Sequence, residues 1–260
     1  MIHERGVFTM KEWQEEQKAL NEEISRVCRQ PFLDKVIGPP SVNPLRTAAL
    51  MLAFTDEDRK QARVQKQIAA AVLIQLAMDT HDLIPSVTEE MTQEHQLIVL
   101  AGDFFSGMYY RTLAEAGSIH WVEILADAVK KVNEAKTSLH RHQLHSKEAV
   151  FGAVQTIEGD IIGAVYKENK ADKTVWHAIQ QLLAADRLLQ EKEKPFIAFD
   201  ALARVLGTNE QAAGALKHQL EQIRLTINTC IQNMDERSAS VVRAERDRLF
   251  SVPLRFVEEG

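Results

Sequence analysis

Asp79, His81 and Asp82, with a further carboxylate at Asp103, are the residues of this 260-residue chain whose types and spacing invite chemistry. On a helix, Asp79 and Asp82 stand at i and i+3 and share a face about 5–6 Å apart, near enough to touch one cation. Mg2+ takes oxygen ligands in a near-octahedral array, usually carboxylates together with substrate phosphates. Two aspartates and one histidine make a poor set for that ion. No Asp-Asp pair occurs anywhere in the chain, so a denser acidic cluster is missing from the sequence. The trio therefore reads first as a hydrogen-bonded polar cluster closing a helix end.

The other reactive side chains give weaker signals. His140, His142 and His145 are spaced by two and three, unlike the i, i+4 pair of a HExxH helix or the ligands of a zinc finger, and they read as a solvated helix end. Lys130, Lys131 and Lys136 are able to steer an anionic substrate, but scattered lysines are ordinarily the wet face of a helix. Cys28 and Cys230 form no CxxC and read as reduced thiols of a cytoplasmic protein. A formal charge of -6 and a pI near 5.9 argue against binding to nucleic-acid phosphates. The N-terminus lacks the apolar core of a signal peptide. The longest greasy stretch, Ile68 to Met78, is broken by Gln75 and falls short of the roughly 18 residues of a membrane span.

Helices must position these groups. With 11 glycines and 7 prolines the chain lacks the punctuation of a turn-rich all-β protein. Helices are predicted at 8–29, 45–54, from the Thr55-Asp56 cap to about residue 84, at 93–116, and from a Ser118 cap through Leu139. Others follow at 146–168, 172–191, 209–233 and about 236–250, for a total of roughly nine or ten. Residues 68–78 are apolar on every side and belong inside a bundle. Residues 96–103 also suit a buried strand, but no sister strands exist to pair with it, so they are read as helix. The Gly-Pro-Pro-Ser-Val-Asn-Pro breaker at 38–44 sets off an N-terminal helical arm, residues 1–38, from one all-α domain, residues 39–260.

Two adjoining stretches carry a resemblance: Ile74-Gln-Leu-Ala-Met-Asp-Thr-His-Asp-Leu-Ile-Pro85, and Gln96-Leu-Ile-Val-Leu-Ala-Gly-Asp-Phe-Phe-Ser-Gly-Met-Tyr-Tyr-Arg-Thr-Leu-Ala114. They resemble component I, the small subunit of bacterial heptaprenyl diphosphate synthase, where DTHD followed by QLxVLAGDYYSGLYYxxLA recurs. Val132-Asn-Glu-Ala-Lys136 is similar to that family's INExK run. The likeness extends from about residue 45 onward, with its specific motifs inside 74–136. It implies an isoprenoid-synthase fold. Catalytic members hold Mg2+ on aspartate-rich motifs and use it to expel pyrophosphate. Here the first motif is reduced to Asp79 and Asp82, and Asp200 stands alone near the place of the second; the resemblance thus makes Asp79, His81, Asp82 and Asp103 candidates for a remnant diphosphate site or a polar patch facing a partner.

The resemblance thus implies a regulatory subunit without catalytic residues, binding no cofactor by itself. Its partner would be a catalytic large subunit, component II, carrying two DDxxD motifs and the Mg2+. Together they would condense farnesyl diphosphate with isopentenyl diphosphate into a heptaprenyl or hexaprenyl chain for menaquinone. Phe104, Phe105, Met108, Tyr109 and Tyr110 are the candidates for the partner interface or for the wall of the product tunnel, since aromatics and Met favour interface cores. Two alternatives stand beside this reading: an autonomous all-α prenyl-transferring or lyase enzyme with atypical metal ligands, and a helical scaffold protein.

Overall fold

The computed structural model describes residues 9–84, 92–190 and 197–251, and everything regular in them is helical. The contacts divide the chain into two compact units, residues 1–125 and 126–260. The first holds α1 (Met10–Cys28), α2 (Pro31–Ile37), α3 (Pro44–Leu52), α4 (Asp56–Arg59), α5 (Ala62–His81) and α6 (Gln93–Glu115). The boundary falls within α7 (His120–His140). The second unit continues with α8 (Lys147–Glu168), α9 (Lys173–Leu189), α10 (Ile197–Leu206), α11 (Asn209–Ile231) and α12 (Glu236–Phe250).

In the first unit α5 and α6 form the main pair, and α1, α3 and α4 pack on α5. The run from Ala70 to Gln75 is buried without a gap, which explains its lack of a polar face. Residues 96–103 are helix, inside α6. Gly117 ends α6 in the left-handed region at φ 62°. The Ser118 N–H reaches back to the Leu113 carbonyl at 2.9 Å, which satisfies one of the carbonyls a helix end leaves open. In the second unit α9 is central, with α8, α11 and α12 against it, and ten of its residues are buried. Cys28 and Cys230 are both buried and form no disulfide.

The twelve helices of the described residues include three that the sequence reading does not draw: α2, α4 and α10. Pro31 does end α1's register, but it then serves as the first residue of α2, where its missing N–H costs nothing. The long helix expected after Thr55 is broken in two. Thr55 caps only α4, because Arg59 turns inward to bond the Phe54 carbonyl at 3.3 Å, and α5 starts afresh at Ala62. Ser118 does not cap α7, which begins at His120. Its hydroxyl instead accepts the Gln67 amide at 3.0 Å. The connection at 85–91 and the end at Pro253 lie outside the described residues.

Candidate functional site

The α5–α6 pair brings Asp79, His81, Asp82 and Asp103 to one end of the first unit and turns them in different directions. Asp79, in the last turn of α5, points to α3. Its Oδ2 accepts from Arg46 and its Oδ1 from the Gln75 amide at 3.1 Å. The Arg46 side chain is only 11% exposed, while that of Asp79 keeps 36% of its surface in water. His81 points to α6, where its ring lies against Gly102. A Cβ on Gly102 would stand 2.4–2.7 Å from three ring atoms, so that position admits only glycine while the imidazole stays in place. His81 Nε2 is 3.8 Å from Asp103 Oδ1. Asp82 is the exposed C-cap of α5.

This donor set does not fit a divalent cation. Both oxygens of Asp79 already accept N–H donors, one of them from a guanidinium that supplies the positive charge a metal would bring. Among the described residues no group of three or more His, Cys, Asp or Glu side chains is arranged to hold a metal ion. Arg46 is the residue the sequence reading passed over. The signal was there, since a lone arginine in the apolar helix PLRTAALML must find a carboxylate when it folds inward.

The aromatic run of α6 is divided by the helix's own period. Phe105 and Tyr109 are in the core, Phe104 and Met108 are half-buried, and Asp103 and Tyr110 face outward. The Tyr109 hydroxyl donates to the Val122 carbonyl at 3.4 Å, and burial, with a smaller contribution from neighbouring Tyr110, pushes its pKa up to about 12. Phe104 and Phe105 meet edge to face at 5.7 Å between centroids. Leu100, Asp103, Gly107, Tyr110 and Ala114 are all exposed and recur at steps of three and four, one continuous outer stripe. A Cβ added at Gly107 would meet nothing within 4 Å. Leu100 and Ala114 were not singled out in the sequence, because exposure of an apolar residue leaves no trace in periodicity.

The candidates of the second unit stay apart from any site. His140 ends α7, His142 takes a left-handed φ of 55°, and both are exposed with His145. Lys130 and Lys131 are exposed and Lys136 is half-buried. Asp200 is exposed in the first turn of α10, where a carboxylate suits the helix dipole. Two buried carboxylates here escaped the sequence reading: Glu158 of α8, 3.7 Å from Arg187 Nε, and Asp186 of α9.

Residues 30–232 match the family described as heptaprenyl diphosphate synthase (HEPPP synthase) subunit 1. Heptaprenyl diphosphate synthase component 1 of Geobacillus stearothermophilus is 35% identical over 132 residues, which are 51% of this chain and 59% of that relative. The chain thus matches a little under two thirds of that relative's length. Solved structures share the fold at low identity. An isoprenoid synthase family member from Thermotoga neapolitana superposes with a TM-score of 0.65 at 12% identity, over 92% of this chain and 100% of that one. Heptaprenyl diphosphate synthase of Staphylococcus aureus gives 0.60 at 10%, over 92% and 98%. The fold is that of the isoprenoid synthases.

Proposed function

Because the chain belongs to the family of heptaprenyl diphosphate synthase subunit 1, we propose that it is the non-catalytic half of a two-chain polyprenyl diphosphate synthase. The observation that carries this reading is the capture of Asp79 by Arg46. Ionising an allylic diphosphate requires charge stabilisation at the departing pyrophosphate, and Asp79, the carboxylate best placed to hold a metal there, is already bonded to an arginine and a glutamine. The partner would supply the metal-bearing aspartates. The complex would extend farnesyl diphosphate with isopentenyl diphosphate to a heptaprenyl or hexaprenyl product, destined for menaquinone.

The outer stripe of α6 supports a docking role. A glycine inside a helix costs about 1 kcal/mol against alanine, and none of the described residues uses the space at Gly107. A helix of the partner crossing there would use it. Leu100 and Tyr110, at 57% and 53% exposure, would then be buried on either side of the crossing. Through that contact the subunit would brace the tunnel that receives the growing chain and so bear on product length.

The test is reconstitution. Purified alone, the chain incorporates no isopentenyl diphosphate, and adding a catalytic subunit with two DDxxD motifs yields long-chain product. Gly107→Leu leaves the isolated chain at least as stable as the wild type, since it gains helix propensity and meets no neighbour, yet it abolishes association. Elongation by the solitary chain, or a Gly107→Leu subunit that still assembles, would refute the reading.

A further inference from the structure

About Gly107 the exposed face of α6 is its own complement. Four residues to either side stand Asp103 and Arg111, opposite in charge, with side chains 66% and 69% exposed. Three residues to either side stand two aromatics, Phe104 and Tyr110, and seven to either side two apolar residues, Leu100 and Ala114. When two copies of a helix cross antiparallel on a two-fold axis, each residue meets the one that lies equally far beyond the crossing point on the other copy. Crossing at Gly107 therefore sets Asp103 against Arg111 twice over, Phe104 against Tyr110 and Leu100 against Ala114. A parallel crossing would set Asp103 against Asp103 and Arg111 against Arg111, and like charges in contact oppose association. Charge thus fixes the direction of the pair.

Neither charge has to abandon a partner to make the new contact. Arg111 Nε donates to Glu115 at 2.8 Å, which leaves the outer nitrogens of its guanidinium to donate elsewhere. Lys66 Nζ holds the other oxygen of Glu115 at 3.2 Å, so that carboxylate stays paired even if Arg111 turns away. Asp103 lies 3.8 Å from His81 Nε2, beyond hydrogen-bond reach. At the centre, Gly107 has no Cβ to hold two backbones apart, and none of the described residues comes within 4 Å of the place a Cβ would take. The stripe from Leu100 to Ala114 is about 21 Å long at the helical rise. One helix face of that length falls below the roughly 800 Å² per partner of a standard interface, so the pairing is reversible.

We propose that two copies of this chain pair antiparallel through the outer stripe of α6, and that this weak homodimer occupies the stripe until a catalytic subunit displaces one copy. The pairing rests on the stripe alone; the displacement rests on the proposed function. Paired in this way, the free subunit keeps Leu100 and Tyr110 covered, residues that otherwise stand 57% and 53% exposed.

The test is sedimentation velocity on the isolated full-length chain across a range of concentrations, with the two charges reversed singly and together. The wild type dimerises with a dissociation constant on the order of 10–100 μM. Asp103→Arg alone and Arg111→Asp alone each bring like charges together at both contacts and weaken the dimer at least about tenfold. Mixed with one another, the two single variants pair as well as the wild type does, because opposite charges again meet at both contacts, and the double variant regains self-pairing. Recovery in the mixture also shows that both variants are folded. Should either reversal not fold, Gly107→Leu, which meets no described neighbour in its own chain, carries the expectation of a broken dimer. A wild type that stays monomeric at about a millimolar, single reversals or a Gly107→Leu chain that dimerise unchanged, or a mixture of folded single variants no better than its components would overturn the proposal. Adding a catalytic subunit with two DDxxD motifs distinguishes this failure from that of the function. A chain that pairs with itself but activates no such subunit leaves the pairing standing and removes the subunit role, and a monomeric chain that activates one does the reverse.

Discussion

The contact between His81 and Gly102 shows how a single residue's size governs this site. A methyl at position 102 gains about 1 kcal/mol of helix propensity but meets the imidazole at 2.4 Å, and overpacking of that kind costs about 1–3 kcal/mol. Gly102→Ala is therefore expected to destabilise the wild type by about 1 kcal/mol and to stabilise a His81→Ala background by a similar amount. Urea melts of the four proteins measure this cycle, and additivity would deny the contact. A second residue-scale prediction concerns pH. Burial raises the pKa of Tyr109 to about 12 and that of Tyr166 further upward. A raised phenol binds its proton more tightly in the folded state, so its stabilisation is complete below the ordinary tyrosine value of about 10 and is lost as pH climbs from there through about 12. Phenolate absorbance should show neither Tyr109 nor Tyr166 titrating before the alkaline unfolding transition, and Tyr109→Phe should leave the pre-transition signal unchanged. At this scale the sequence exposed which residues are polar in greasy company, Asp79 and His81 among them. It did not expose their partners, because Arg46 lies 33 positions from Asp79 and only folding brings them together.

At the scale of elements most of the helical plan was legible. The helices at 146–168, 172–191, 209–233 and 236–250 appear within two residues as α8, α9, α11 and α12, and for 172–191 and 209–233 apolar residues at helical spacing marked the length. The failures share one physical cause. Short helices such as α2 and α4 contain too few turns for a period to show, and their bounds are set by long-range bonds. Arg59 is the instructive case. Its guanidinium is 5% exposed and holds Glu16 of α1 at 2.8 Å and Asp56 at 2.7 Å while lying over the Trp13 ring. It thereby fastens α1 to the start of α5. Arg59→Ala removes these charge-assisted bonds and the stacking, and since both carboxylates keep access to water the cost is put at about 2–3 kcal/mol, below that of a fully buried pair. Arg59→Lys should recover little of it, because a lysine neither forks nor stacks in the same way. Hydrogen exchange checks the locality of the effect: amides of α1 lose protection in both variants before those of α5 do. Equal loss across both helices would mean that Arg59 is a general core residue and no fastening between them.

At the scale of the whole molecule, the chain keeps the isoprenoid-synthase fold over 92% of its length at 10–12% identity to the structures it superposes on. A bundle of helices tolerates that divergence because its core asks for apolar volume at the right period, whereas metal chemistry asks for particular atoms at particular distances. Fold and activity can therefore part company, and under the proposed function the Asp79–Arg46 pair is where they do. The consequence can be measured on the intact chain. An ion that binds only the folded state raises stability by RT ln(1 + [L]/Kd), so a Mg2+ site with a dissociation constant a hundredfold below the working concentration would add about 2.7 kcal/mol, several degrees in melting temperature. The isolated chain should melt at the same temperature in millimolar Mg2+ and in EDTA. When the partner is present, EDTA should abolish product formation while this subunit's own unfolding is unaffected. A Mg2+-dependent rise of several degrees in the chain alone would show that its remaining carboxylates still assemble a metal site, and the proposed division of labour between two subunits would then have to be abandoned.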